Sequence, residues 1–84
     1  MDIIGKLYKM FRESAGVTTD SRTIKGGEMF FALKGENFDG NEYALKALES
    51  GAAYAVVDEG TPVSEAKDER IVPVENTLKA LKEL

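Results

Sequence analysis

A short polar segment, Thr19-Asp20-Ser21-Arg22, carries the side chains of this sequence that are best suited to chemistry. The hydroxyl of Ser21 can donate a hydrogen bond to a phosphate or ribose oxygen, or accept one. The guanidinium of Arg22 is a planar, permanently charged fork that suits a pyrophosphate. In an ordinary surface turn, the serine hydroxyl would instead bond its own loop, and the arginine would be solvated or paired with a carboxylate. The segment therefore indicates either an anion site or a structural turn.

The elements that follow this segment predict where a ligand would bind. The apolar run 29–33 has the length of a buried strand, and a helix over 41–50 and a strand over 52–57 come next. Such β-α-β units are almost always parallel and right-handed. Ligands of open α/β sheets bind beyond the carboxyl ends of the strands, which is where the loop 34–40 lies. The topology therefore points to this loop.

The rest of the pattern predicts the α/β class, with a small mixed sheet, the β-α-β unit and flanking helices in one domain over residues 1–84. Helices are predicted at 2–14 and 75–84, and short strands at 17–19 and 70–74. Pro73 places the last strand at an edge or makes it end there. The side chains expected to face the core from the three helices are Ile3, Ile4, Leu7, Tyr8, Phe11, Ala44, Leu45, Leu48, Leu78, Leu81 and Leu84.

Composition excludes several kinds of site. The 84 residues include no cysteine and no histidine, so disulfides, the usual zinc sites and a catalytic Cys or His are excluded. The net charge of −4 argues against nucleic-acid binding. No apolar run approaches the ~20 residues of a membrane span. The N-terminus also lacks the features of a signal peptide, so a cytoplasmic location is expected.

The acidic residues and the glycine pair Gly26-Gly27 are assigned structural roles. Asp39 is expected to cap the helix that follows it. A metal or acid–base site is not predicted at the carboxylates, because they surround a helix cap and turns and no histidine accompanies them. Lys25-Gly26-Gly27 lacks the spacing of a nucleotide phosphate loop and predicts a turn. The carboxylates interpreted as a solvated acidic surface are Asp39, Glu42, Glu49, Asp58 and Glu59.

Three segments together resemble the N-terminal domain of the Mur ligases, above all those of the MurF type. They are DSR at 20–22, GEMFFALKGE at 27–36 and FDGN at 38–41. The family pattern reads roughly DSR, GDLFFALKGE and a DGH-like turn, in the same order and spacing. Asn41 stands where many members carry histidine, which favours helix capping over a ligand role at that position.

The resemblance implies a part of a longer ATP-dependent ligase that joins UDP-N-acetylmuramoyl-tripeptide to D-alanyl-D-alanine. ATP and magnesium would bind the central and C-terminal domains, so this chain would contribute substrate binding and no catalytic residue, cofactor site or metal site. The loop after the buried strand would contact the uridine diphosphate, with Asn37 reading the uracil and Phe38 either packing on the base or filling the domain edge. The predicted UDP-binding residues are Thr19, Ser21, Arg22, Lys34, Gly35, Glu36, Asn37 and Phe38.

Three alternatives stay open. The MurE type, which adds the third amino acid, shares DSR and a DGH-like turn, although the run Phe30 to Gly40 favours MurF. A non-catalytic interaction domain would keep the fold without the ligand. A MurF-like domain fused to another enzyme, such as an alanine racemase, would carry the same signature.

Overall fold

The chain folds into three layers, with helices on both faces of a parallel sheet. The computed structural model describes residues 3–34 and 39–83, and side chains from residue 5 onward. The strands β1 (Val17–Thr18), β2 (Met29–Phe31), β3 (Tyr54–Asp58) and β4 (Ile71–Val74) lie side by side in chain order. The helices are α1 (Ile3–Glu13), α2 (Ala44–Glu49) and α3 (Thr77–Glu83). Short 3₁₀ turns span Ser21–Thr23, Gly40–Tyr43 and Pro62–Glu65.

The apolar runs form strands because both faces of the sheet are covered. Successive side chains of a strand point to opposite faces. Phe30 and Ala55 therefore pack with α2 in one cluster, whereas Phe31 and Val56 pack with α1 and α3 in the other. Burial on both sides explains why 29–31 and 55–57 read as continuous apolar runs and do not alternate with polar residues.

The predicted α/β class and the β-α-β unit are confirmed. All pairs between the named strands are parallel. Within the described ranges, the antiparallel pairing expected of a mixed sheet is limited to an isolated bridge between Lys34 and Asp39. Pro73 lies in β4, the last strand of the sheet, as its missing N–H requires. None of the described helices is long and apolar enough to cross a bilayer.

The predicted core faces of the helices are wrong by one position in places. Leu45 and Leu78 are 51% and 47% exposed, whereas Ala47 and Ala80 are buried. In α2 the buried residues follow the i, i+3, i+4 stripe that starts at Ala44, and one position further rotates a side chain by about 100°. In α1, Tyr8 and Phe11 are exposed, whereas Leu7 is buried and Met10 packs against the same cluster. The side chains of Ile3, Ile4 and Leu84 lie outside the described part.

Candidate functional site

A cleft of about 510 Å³ opens between the polar loop after β1 and the start of α2. It brings together three of the predicted site residues, Thr19, Ser21 and Arg22. Residues from after β2 and from α2 form the opposite wall. The other residues that line the cleft are Asp20, Phe30, Gly40, Tyr43 and Lys46.

The loop on the Ser21 side is held by its neighbours. The carboxylate of Asp20 accepts a hydrogen bond from the backbone N–H of Arg22 at 2.9 Å and so caps the 3₁₀ turn. Thr18 Oγ1 accepts from the N–H of Asp20 at 3.1 Å and also bonds the hydroxyl of Thr23. The described residues give the half-buried Ser21 hydroxyl no hydrogen-bond partner. The loop therefore keeps its shape without this hydroxyl, which is available to a ligand.

Arg22 is paired within its own loop. Its Nε and Nη2 donate to the two carboxylate oxygens of Asp20, both at 3.0 Å. These bonds raise the pKa of Arg22 and lower the pKa of Asp20. The Arg22 side chain is 86% exposed, so the pair is solvated and weak. In the structure Arg22 therefore pairs with a nearby carboxylate, and its binding of UDP stays a prediction.

Tyr43 and Lys46 lie in the cleft, and sequence reasoning missed both. They follow Gly40 at intervals of three residues, and this spacing places all three on one side of the 3₁₀ turn and the first turn of α2. Tyr43 is 44% exposed. Lys46 is exposed and makes no ion pair within residues 3–34 and 39–83. The cleft thus offers an aromatic face and an uncompensated cation.

The loop after β2 is described only at its two ends. Lys34 is exposed, pairs with Asp39 in the isolated bridge and does not line the cleft. The predicted site residues Gly35, Glu36, Asn37 and Phe38 lie outside the described residues. The backbone N–H of Gly40 donates to the carbonyl of Leu33 at 2.7 Å, which closes the loop.

Behind the cleft, a polar network joins the ends of several elements. Asp39 caps the turn before α2 as predicted, since its Oδ1 accepts from the backbone N–H of Asn41 at 3.0 Å. The side-chain amide of Asn41 donates to Asp39 at 2.7 Å and to Asp58 at 3.1 Å. The pKa of Asp39 is lowered, chiefly by the side chain of Asn41, then by its N–H and by the charge of Lys34.

The interpretation of Asp39 and Asp58 as merely solvated carboxylates is therefore wrong. Both are half-buried and accept hydrogen bonds, because β3 ends beside the turn that Asp39 caps. Sequence spacing could not reveal this contact, since Asn41 and Asp58 are 17 residues apart. Within the described ranges, no group of three or more acidic side chains is placed to hold a metal ion.

The glycine pair at 26–27 forms a turn, as predicted. The backbone N–H groups of Lys25 and Gly26 donate to the carboxylate of Glu28 at 2.8 and 2.7 Å. These bonds lower the pKa of Glu28. Because these two N–H groups already donate to Glu28, they are not free to bind the phosphates of ATP.

Comparison with known proteins gives one family. Residues 13–84 match the model of the Mur ligase family, catalytic domain. A UDP-N-acetylmuramoyl-L-alanyl-D-glutamate–2,6-diaminopimelate ligase of Rickettsia prowazekii (strain Madrid E) is 35% identical over 80 residues, which is 95% of this chain and 16% of that protein. A UDP-N-acetylmuramoyl-tripeptide–D-alanyl-D-alanine ligase of Bacillus subtilis (strain 168) is 36% identical over 69 residues, which is 82% of this chain and 15% of that protein.

Solved structures agree with this family. The MurF ligase from Thermotoga maritima in complex with ADP superposes with a TM-score of 0.68 at 26% identity, covering 96% of this chain and 16% of that one. MurF from Acinetobacter baumannii superposes with a TM-score of 0.69 at 25% identity, covering 96% of this chain and 19% of that one. The chain therefore spans less than a fifth of the length of these relatives.

Proposed function

This chain belongs to the Mur ligase family, and we propose that residues 1–84 form the N-terminal domain that binds the UDP end of a peptidoglycan precursor. In the longer ligase, ATP would drive amide-bond formation between UDP-N-acetylmuramoyl-tripeptide and D-alanyl-D-alanine. The GEMFFALKGE segment and the likeness to two MurF structures support the MurF type.

The cleft between the polar loop and α2 is the observation that carries this proposal. A nucleoside diphosphate needs donors and positive charge for its phosphates and a flat surface for its base. The hydroxyl of Ser21 and the ammonium of Lys46 can bind the phosphates, while the ring of Tyr43 offers a surface on which the base can stack. Arg22 can add donors that Asp20 does not use. Thr19, Lys34 and residues 35–38 complete the proposed site.

Binding at this cleft would serve the reaction from a distance. Contacts to a part of the substrate that does not react can orient the reacting carboxylate elsewhere. We assign no catalytic residue to this chain, and ATP and magnesium would bind the central and C-terminal domains. A cytoplasmic location belongs to the same proposal.

The MurE type is the second candidate. A specific observation favours it, since the diaminopimelate ligase of Aquifex aeolicus (strain VF5) is 47% identical over 66 residues. MurE and MurF substrates share the UDP end and differ at the peptide end, so both types predict the same ligand for this cleft. Assays of the full-length ligase with diaminopimelate and with D-alanyl-D-alanine would separate them.

An NMR titration of the chain with UDP tests the proposal, with uridine and inorganic pyrophosphate as partial ligands. We expect amide shifts in 19–22, in 34–40 and at Tyr43 and Lys46. Binding should be weak, because one wall of an open cleft buries little of a small ligand. No shifts at millimolar UDP, or shifts confined to 58–68, would reject the site and favour a non-catalytic interaction domain of the same fold.

A further inference from the structure

We propose that Asn41 is a positioning residue, which fixes the wall of the cleft formed by Gly40 and Tyr43 to the carboxyl end of β3. The effect of Asn41 on ligand affinity rests on the proposed function. The effect of Asn41 on the position of the cleft wall is independent of that function.

The side chain of Asn41 is at the centre of the polar network. It is 5% exposed and uses both ends of its amide. The nitrogen donates to Asp39 Oδ1 and Asp58 Oδ2, while the oxygen accepts from the backbone N–H of Asp58 at 2.9 Å. A carboxylate of the same shape could not donate, and an aliphatic side chain would leave these groups unpaired. The position therefore requires a side chain that both donates and accepts hydrogen bonds, as an amide does.

The network continues from Asp58 to the far side of the sheet. Asp58 Oδ1 accepts from the backbone N–H of Thr77 at 3.0 Å. The buried hydroxyl of Thr77 then donates to the carbonyl of Ala32 at 2.9 Å, just after β2. Asn41 is thereby joined through Asp58 to β3, α3 and the end of β2, all of which belong to the packed core.

The cleft wall lies on the same 3₁₀ turn as Asn41. Gly40 precedes Asn41 directly, and Tyr43 follows it by two residues. Both line the cleft. Because a turn of four residues moves nearly as a unit, anchoring Asn41 to Asp58 fixes Gly40 and Tyr43 relative to Ser21 across the cleft.

The charged groups around Asn41 make the role testable through pH. The carboxylates of Asp39 and Asp58 contact its amide, and Lys34 acts on Asp39. In Asn41→Asp, a third carboxylate would face these two. It would repel them at neutral pH and, because like charges raise its pKa, would take up a proton and donate again in mild acid.

Amide hydrogen exchange of Asn41→Asp tests the positioning role without any ligand. At pH 7.5 we expect protection of the Gly40 and Thr77 amides to fall roughly tenfold, with recovery near pH 5.5 after correction for intrinsic exchange. Asn76→Asp is the matched control, since Asn76 is an exposed cap that accepts from Lys79 N–H and lies outside the network. It should leave the Gly40 amide unchanged. The Thr77 amide is not compared in this control, because it belongs to the peptide bond that follows Asn76.

The double variant Asn41→Asp with Asp58→Asn keeps the test decisive. It exchanges the amide and the carboxylate between the two positions, so an amide donor at position 58 again faces a carboxylate acceptor at position 41. Protection at pH 7.5 should therefore exceed that of the single variant, although repulsion between positions 41 and 39 remains. UDP affinity should fall roughly tenfold in the single variant and follow the same pH recovery.

Two results would overturn the proposal. One is wild-type protection and affinity in Asn41→Asp. The other is unfolding of both the single and the double variant, which would make Asn41 a residue of the fold as a whole. Failure of the wild-type chain to bind UDP would reject the proposed function. The positioning role of Asn41 would then be decided by amide hydrogen exchange alone.

Discussion

Arg22 and Asp20 form a bidentate ion pair within a single turn, in which the Nε–Oδ1 and Nη2–Oδ2 distances are both 3.0 Å. The positive charge of Arg22 is therefore largely compensated before any ligand arrives. Lys46, on the opposite wall of the cleft, makes no ion pair in the described part of the chain. The net attraction for a diphosphate should therefore come mainly from α2.

Replacing Lys46 should accordingly weaken UDP binding more than removing the ion pair of Arg22 and Asp20. We expect Lys46→Gln to cost about 1 kcal/mol, roughly fivefold in Kd, because an exposed charge interacts modestly with its partner. Asp20→Asn with Arg22→Gln should cost less than half as much, since this double variant removes a pair that carries no net charge. Arg22→Gln alone would leave an unpaired carboxylate that repels the phosphates. Calorimetric titration with UDP at low salt measures both, and uridine, which has no phosphate, is the control ligand. A loss in the double variant as large as that in Lys46→Gln would show that the pair opens to bind the phosphates.

Gly40 should tolerate no side chain. A Cβ at this position would lie 2.6 Å from the carbonyl oxygen and 2.8 Å from the nitrogen of Leu33, both backbone atoms that cannot move aside cheaply. We expect Gly40→Ala to lower the free energy of unfolding by about 2–3 kcal/mol, as overpacking does. Urea denaturation measures the loss.

Gly60→Ala is the matched control for that prediction. Gly60 has open space around it but a φ of +80°, so alanine there should cost only about 1 kcal/mol, from backbone strain. Equal losses in the two variants would mean that the close approach of Leu33 does not govern Gly40.

The fold could be predicted to the extent that local patterns determine it. The run at β2 and the cap at Asp39 depend on neighbours in the sequence, and both are confirmed. Which helical stripe faces the sheet could not be predicted, because Leu45 is more apolar than Ala47 but lies about 100° off the contact direction. Tertiary packing decides between such residues.

The candidate site, like the fold, could be predicted only where it depends on residues that are close in the sequence. The polar loop at Ser21 could be identified because its residue types crowd into four positions, and the cleft does contain it. Lys46 and the bond between Asn41 and Asp58 could not be predicted, since they depend on how α2 and the turn before it dock beside the Ser21–Thr23 turn and β3. Whether Ser21 and the loop 34–38 bind UDP stays a prediction.

Acid should destabilise the chain in part through Asp68. Hydrogen bonds from Arg70 lower the pKa of Asp68 from 3.8 to about 2. A carboxyl group whose pKa is lower in the folded state stabilises that state at pH values above its unfolded-state pKa. This contribution is lost as the pH falls from about 4 to about 2. Thermal melts from pH 2 to 6 should show Asp68→Asn less stable than wild type above pH 4 and nearly equal to it at pH 2. A constant difference across this range would contradict the assignment.

The chain alone should hydrolyse no ATP. It has no nucleotide phosphate loop, and its glycine turn is occupied by Glu28. We expect phosphate release from ATP with magnesium to equal the buffer blank at any concentration of pure chain. Turnover that scales with protein and survives a second purification step would place catalytic machinery where we assign only binding.

UDP affinity of Ser21→Ala tests the central claim most directly, with Ser50→Ala as the matched control, since Ser50 is exposed and does not line the cleft. Losing a hydrogen bond to a charged partner should weaken binding by about 1.5–3 kcal/mol, roughly 10- to 150-fold. Stability should stay within about 0.5 kcal/mol of wild type, because the structure gives the Ser21 hydroxyl no partner among the described residues. Ser50→Ala should bind UDP as wild type does. Unchanged UDP affinity in a folded Ser21→Ala chain would contradict the account.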